Sequence, residues 1–193
     1  VFLGYMDSSI GSSSPEEGEA DSEIMRFGGG NRLGYGWGGS GLKFEMYNQN
    51  SLNWTQILPV EFESMDPEVQ AVYERYGHSF RFGQSMEAGA KFHLFKSLAI
   101  SAGVEGAVVF PRHIFWPWLG SAMIYSGLQG GLQFFSEQII EVSPVIGPAL
   151  WWILKSGVSY GYYVLLRDDM NWPFGYETPL TVESFKLGAA LTF

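Results

Sequence analysis

The fold turns on residues 121–135, SAMIYSGLQGGLQFF. Even positions carry Ala122, Ile124, Ser126, Leu128, Gly130, Leu132 and Phe134. Odd positions carry Ser121, Met123, Tyr125, Gly127, Gln129, Gly131 and Gln133. Such alternation is the period of a strand with two unlike faces. The stretch also lies within the longest uncharged run, 114–136, which is long enough for a membrane-spanning helix. A second such helix is able to begin in 142–154, VSPVIGPALWWIL. A helical membrane hairpin is therefore the rival. Two features favour the strand: a helical glycine costs about 1 kcal/mol relative to alanine, and a period of two gathers Gln129 and Gln133 on one face.

Applied outward, the same test finds more strands. In 79–95 one face holds Phe80, Phe82, Met86, Ala88, Ala90, Phe92 and Leu94, and the other holds Arg81, Ser85, Glu87, Lys91 and His93. In 99–110 Ile100, Ala102, Val104, Val108 and Phe110 oppose Ser101, Gly103 and Glu105. Apolar parity flips across GGSG at 38–41, which marks a turn. The pattern predicts eight strands, at 1–9, 24–37, 42–62, 79–94, 99–110, 121–135, 157–167 and 183–193. Asp66 as N-cap, Pro67 at the first helical position and Gly77 as a stop predict a short helix over 66–76.

Composition narrows the class. A chain of 193 residues fits one domain, 1–193. It has no cysteine, so disulfides and thiolate metal sites are excluded. Charged residues make up 16%, against about a quarter in ordinary soluble domains. A net charge of −9 argues against a nucleic-acid partner. The sequence begins at Val1, with no secretory leader in view; a leader has been removed, or the chain is part of a longer product.

Charge decides which strand faces meet water. Arg26, Arg32, Lys43, Arg81, Lys91, Arg167 and Lys186 fall on the polar faces, with Glu45, Glu61, Glu87 and Glu105. Those faces are rich in glycine, as a narrow lumen requires. Large aromatics such as Trp37, Phe80, Phe110 and Tyr160 stand near strand ends on the apolar faces, as girdles at a bilayer interface do. This is the apolar-out, polar-in pattern of a membrane barrel.

The chain closes on FKLGAALTF, with Phe185, Leu187, Ala189, Leu191 and Phe193 at alternate positions. This ending resembles the C-terminal strand of bacterial outer-membrane β-barrel proteins; in size the chain is similar to the small eight-stranded OmpA/OmpX-like type. The resemblance implies an all-β fold, a transmembrane antiparallel up-and-down β-barrel. It implies that Phe185 to Phe193 act as an insertion signal read by the barrel-assembly machinery. It also implies a place in the outer membrane of a Gram-negative bacterium, with outer-membrane lipid and lipopolysaccharide as surroundings.

An even strand count puts 10–23, 63–78, 111–120 and 168–182 at one end, and 38–41, 95–98 and 136–156 at the other. The last segment is too apolar for a plain turn. It is readable as a short interfacial helix at about 145–155, as a protein-docking surface, or as extra strands; Trp116, Trp118, Trp151 and Trp152 are the candidate interface. Arg81, Glu87, Lys91, His93, Glu105 and Lys186 are expected to form a lumenal charge network. The expected function is a structural or interaction component of the cell envelope with a plugged lumen, in the setting of a larger complex with other envelope proteins. The alternatives are a lipid-modifying enzyme, for which His78 and His113 are the candidate bases, and a narrow channel. No cofactor and no metal are expected: the acidic residues Glu16, Glu17, Glu19, Asp21, Glu23, Asp168 and Asp169 match no defined calcium-loop spacing.

Overall fold

The computed structural model describes residues 2–10, 20–39, 41–59, 67–94 and 97–191. The elements in chain order are β1 (Phe2–Ile10), β2 (Ala20–Gly38), β3 (Lys43–Pro59), α1 (Pro67–Tyr76), β4 (Arg81–His93), β5 (Leu98–Val109), α2 (Phe115–Val142), α3 (Gly147–Asp168) and β6 (Leu180–Leu191). The six strands make one antiparallel sheet in sequence order. The sheet is not closed: among the described residues, β1 and β6 are each paired on one side only.

Register sorts the side chains. Arg32, Gln49, Glu87, Glu105 and Ser184 form one row across β2 to β6. Gly34, Tyr47, Gly89, Gly103 and Lys186 form the next row on that face. The opposite face carries rows such as Trp37, Phe44, Phe92, Ile100 and Ala189. In a flat sheet β2 and β5 stand about 14 Å apart, at roughly 4.8 Å per strand. Yet Arg26 Nη1 on β2 reaches Glu105 Oε2 on β5 at 2.9 Å. The sheet therefore curls, with the charged rows on its concave side.

α1 stops one end of the concave side. Its Tyr73 and Tyr76 pack with Ile24, Ile57 and Val109. The Tyr76 hydroxyl accepts the Leu180 N–H at 3.1 Å. Burial raises the Tyr76 phenol above its ordinary pKa, although Arg75, the Leu180 N–H and Arg81 oppose the shift. The ring thus stays neutral as it seals that end.

The segment that opened the sequence analysis is helical, and so is 157–167. This corrects the expectation of eight strands; the rejected rival, a helical hairpin, is what the chain forms there as α2 and α3. The reason lies in spacing. α2 buries Ser121, Tyr125, Gln129 and Ser136. Residues four apart share a face in a strand and in a helix alike, so Ser121, Tyr125 and Gln129 fit either. The step to Ser136 fits only the helix, because seven residues reverse strand parity but complete two helical turns. α3 makes the same break, burying Trp151, Lys155 and Ser159 and then both Tyr162 and Tyr163. Gly127, Gly130 and Gly131 have nothing within 4 Å of a would-be Cβ, so they lie on the open side of α2.

Both helices lie on the convex face. Tyr125, Tyr162, Tyr163 and Leu166 pack against Met86, Val108 and Phe110. A Cβ on Gly106 would come within 3.0 Å of the Tyr163 ring, so the missing side chain is what lets that ring lie on β5. The seam is largely polar. Tyr125 OH donates to Asn50 Oδ1 at 2.5 Å, Gln129 Nε2 donates to Ser159 Oγ at 3.0 Å, and Asn48 Nδ2 donates to Ser159 Oγ at 3.2 Å. Trp152 Nε1 donates to the Tyr47 carbonyl at 3.1 Å. The outward side is apolar instead: Met123, Leu128, Phe134, Phe135 and Ile153 are exposed.

The hairpin descends and returns the full height of the sheet. Trp118 of α2 meets Phe82 near one end, and Trp37 Nε1 donates to the Val145 carbonyl between the helices at the other. Two helices replace two strands, so the expected connections 111–120, 136–156 and 168–182 shorten to 110–114, 143–146 and 169–179 as α2 and α3 take up the rest. The expected helix at about 145–155 exists as part of the longer α3. Among the described residues, no helix is long and apolar enough to cross a membrane.

Candidate functional site: a charge network on the concave face

Five charged side chains from four strands converge on the concave side, joined by Tyr47 of β3. Arg26 Nη1 meets Glu105 Oε2 at 2.9 Å. Lys186 Nζ bridges Glu105 Oε1 at 2.8 Å and Glu87 Oε2 at 3.0 Å. Arg32 Nη2 reaches Glu87 Oε1 at 3.2 Å. Tyr47 OH donates to the same oxygen at 2.7 Å, and the Arg32 guanidinium lies 4.1 Å over the Tyr47 ring. Arg26 is anchored further by its Nε donating to Thr55 Oγ1 at 3.2 Å.

Strand geometry makes this convergence. Glu87 and Glu105 are direct cross-strand partners, an arrangement that is destabilising for like charges alone. Lys186, one row away on β6, sits between them and cancels the repulsion. The Tyr47 ring needs space to reach Glu87, and glycine supplies it. A Cβ on Gly89 would stand 2.5 Å from the Tyr47 hydroxyl, and one on Gly103 would stand 2.8 Å from it. Arg26 and Glu105 are 2% and 3% exposed. Buried charges of this kind persist only when paired, because desolvation costs several kcal/mol per ion. The three cations and two carboxylates hold one another, so the network acts chemically as a lock.

The expected network is brought together in part. Glu87, Glu105 and Lys186 form its centre. Arg81 stands apart, donating from Nη1 to the Pro111 carbonyl at 3.1 Å and from Nη2 to the Arg75 carbonyl at 2.8 Å. His93 belongs to a second group at the far end, where its Nε2 is 3.8 Å from Glu45 Oε2 and Lys43 Nζ donates to that oxygen at 2.9 Å. Lys91 makes no ion pair among the described residues. Tyr47 was missed, and Arg26 and Arg32, placed on the polar faces, were not counted into the network. One aromatic in a row of glycines on a polar face is the signal that marks Tyr47.

The candidate interface also divides. Trp116 is exposed. Trp118 packs among Phe82, His113 and Phe115. Trp151 is completely buried, edge-on to Tyr35, with its Nε1 donating to Gln133 Oε1 at 2.9 Å. Trp151 is therefore a core residue, which corrects its placement at an interface; Trp152 is half-buried in the seam. On β6, Phe185, Leu187 and Leu191 are exposed on the convex side. Ala189 follows the same parity, while Phe193, Asp66, Glu16, Glu17 and Glu19 lie outside the described residues. No hydrogen bond joins His78, His93 or His113 to a serine or threonine, and no cluster of acids and histidines suits a metal, among the described residues.

A cavity of about 560 Å³ lies between α3 and the convex face of β4–β6, lined by Trp152, Ser156, Tyr160, Tyr163, Val104 and Phe185 among others. Its lining is mostly apolar, with Ser156, Ser159, Ser184, Glu87, Glu105 and the Tyr163–Glu183 hydrogen bond of 3.0 Å as its polar members.

Comparison with protein-family models, with curated proteins and with solved structures finds no match to this chain.

Proposed function

We propose that the chain is an outer-membrane β-barrel-type protein of a Gram-negative cell envelope, acting as a structural or interaction component with a plugged polar interior. The observation that carries this is inverted polarity. The concave side buries Arg26, Glu87 and Glu105, while Phe27, Trp54, Phe92, Val104, Phe185 and Leu187 stand exposed on the convex side. α2 and α3 turn their hydrogen-bonding stripe to the sheet and leave Phe134, Phe135 and Ile153 exposed, although neither is long and apolar enough to cross a membrane alone. A water-soluble fold places these groups the other way round. In hydrocarbon, the polar groups go inside and the apolar groups meet lipid.

The network supports a plug over a channel, because its cations and carboxylates pair with one another across the interior. Barrel-assembly machinery, lipid, lipopolysaccharide and other envelope proteins are the partners this reading implies. It also requires that the β1 and β6 edges find strand partners in the membrane, since unpaired backbone groups cost several kcal/mol each there.

Leu187→Arg tests the reading. Leu187 sits near mid-strand on β6 and is 74% exposed, so the substitution removes little packing. On a lipid face it should destabilise the folded protein by about 2–4 kcal/mol. On a water-facing surface it should stay within about 0.5 kcal/mol. Denaturant titration in bilayers reads the difference, and the smaller value would count against a lipid-facing convex side.

A further inference from the structure

The cavity of about 560 Å³ between α3 and the convex face opens to the surface, since Val104, Tyr160 and Phe185 on its wall are all exposed. Four aromatic rings line it: Trp152, Tyr160, Tyr163 and Phe185. Two of them are held in place. Trp152 Nε1 donates to the Tyr47 carbonyl at 3.1 Å, and the Tyr163 ring lies on Gly106 of β5 with its hydroxyl donating to Glu183 Oε1 at 3.0 Å. The Tyr160 and Tyr163 ring centroids are 6.2 Å apart. Glutamates line the cavity, but no lysine, arginine or histidine does. Glu87 and Glu105 are already paired on the concave side, with Arg26, Arg32 and Lys186. Glu183 differs from both. It is exposed on the convex face, takes its one hydrogen bond from Tyr163, and makes no ion pair among the described residues. Arg167, whose charge reaches Tyr163, is paired with Asp168 at 3.4 Å and does not line the cavity.

An accessible carboxylate without a cation, set among aromatic rings, suits positive charge. The faces of such rings carry negative potential and attract a cation within about 6 Å of their centroids. An anion would meet only like charge on these walls. One free carboxylate falls short of the oxygen ligands that a hard metal ion takes. The volume lies within the roughly 300–1,000 Å³ of small-molecule sites, and the apolar walls leave room for a body beside the charge. We propose that this cavity binds a small organic cation, an ammonium with an apolar body, with its charge at Glu183 and Tyr163 and its body against Trp152, Val104 and Phe185. The site stands on the cavity and does not depend on whether the convex face meets lipid.

The test is equilibrium dialysis of radiolabelled benzyltrimethylammonium against the full chain in a non-ionic detergent, with uptake by empty micelles subtracted. The expected result is saturable binding of about one cation per chain. Glu183→Gln should weaken it about tenfold, and Tyr160→Leu about threefold. Glu183 and Tyr160 are both exposed, and the glutamine keeps an oxygen for the Tyr163 hydroxyl, so both variants preserve packing. Unlabelled tetramethylammonium, which has the charge without the body, should compete at least tenfold more weakly than the unlabelled probe. Phosphocholine should compete no better, because no basic side chain meets its phosphate. Binding that does not saturate overturns the proposal, as does saturable binding unchanged by Glu183→Gln. Competition by tetramethylammonium equal to that of the probe would overturn the role of the apolar walls. Equal competition by phosphocholine would assign the site to a lipid head group and overturn the small cation as its occupant.

Discussion

Glu105→Gln is expected to destabilise the protein by about 3–5 kcal/mol, the cost of leaving a buried charge without its partner. The substitution strips Arg26 of its only carboxylate among the described residues while the guanidinium stays 2% exposed. It also leaves Lys186 with Glu87 alone. The reverse change should be milder. With Arg26→Met, Glu105 keeps Lys186 Nζ at 2.8 Å and the Ser184 hydroxyl at 3.4 Å. The loss is then nearer about 1.5–3 kcal/mol, the worth of hydrogen bonds to a charged group. Chemical unfolding of both variants in one detergent gives the order. A Glu105→Gln cost no greater than that of Arg26→Met would show that the network is not closed as described.

Trp151→Ala should cost about 3–5 kcal/mol, as truncation of a fully buried tryptophan does. Trp151 holds the start of α3 against Tyr35 of β2 and ties it to Gln133 of α2. Its loss opens a cavity where hairpin and sheet meet and leaves the Gln133 carbonyl short of a donor. Trp116→Ala is the natural control, because Trp116 is 76% exposed. It should stay within about 0.5 kcal/mol. Were Trp151 the interfacial anchor that its apolar surroundings suggest in sequence, the two variants would unfold alike. Thermal melts of the pair distinguish the cases.

Legibility in the sequence followed element type. β2, β3, β4, β5 and β6 alternate in long runs with most of their charges on one face, and that pattern reads correctly because a strand has only two faces. Glu87, Glu105 and Lys186 could be grouped on this basis, and α1 was visible through Pro67 and Gly77. The hairpin was hidden by its inversion. Soluble amphipathic helices are recognised by an apolar stripe toward the core; α2 and α3 turn Ser121, Tyr125, Gln129 and Ser159 inward instead. A polar stripe spaced by four looks like a strand face until Ser136 breaks the parity. Arg81 and His93 share the polar face of β4 with Glu87, yet they sit at its two ends. Parity assigns a face but not a height along the strand; only register joins Arg26 of β2 to Glu105 of β5.

The proposal that the convex side faces lipid is tested most directly by its accessibility. The chain has no cysteine, so single reporters can be introduced without removing any. Spin labels at Leu187→Cys and Leu33→Cys report the convex face, and one at Ser101→Cys reports the polar face. In reconstituted bilayers, apolar oxygen should relax the first two strongly while a water-soluble nickel chelate leaves them untouched. The Ser101 label should show no oxygen preference. Strong relaxation of the Leu187 and Leu33 labels by the nickel chelate would place the convex face in water and contradict the account.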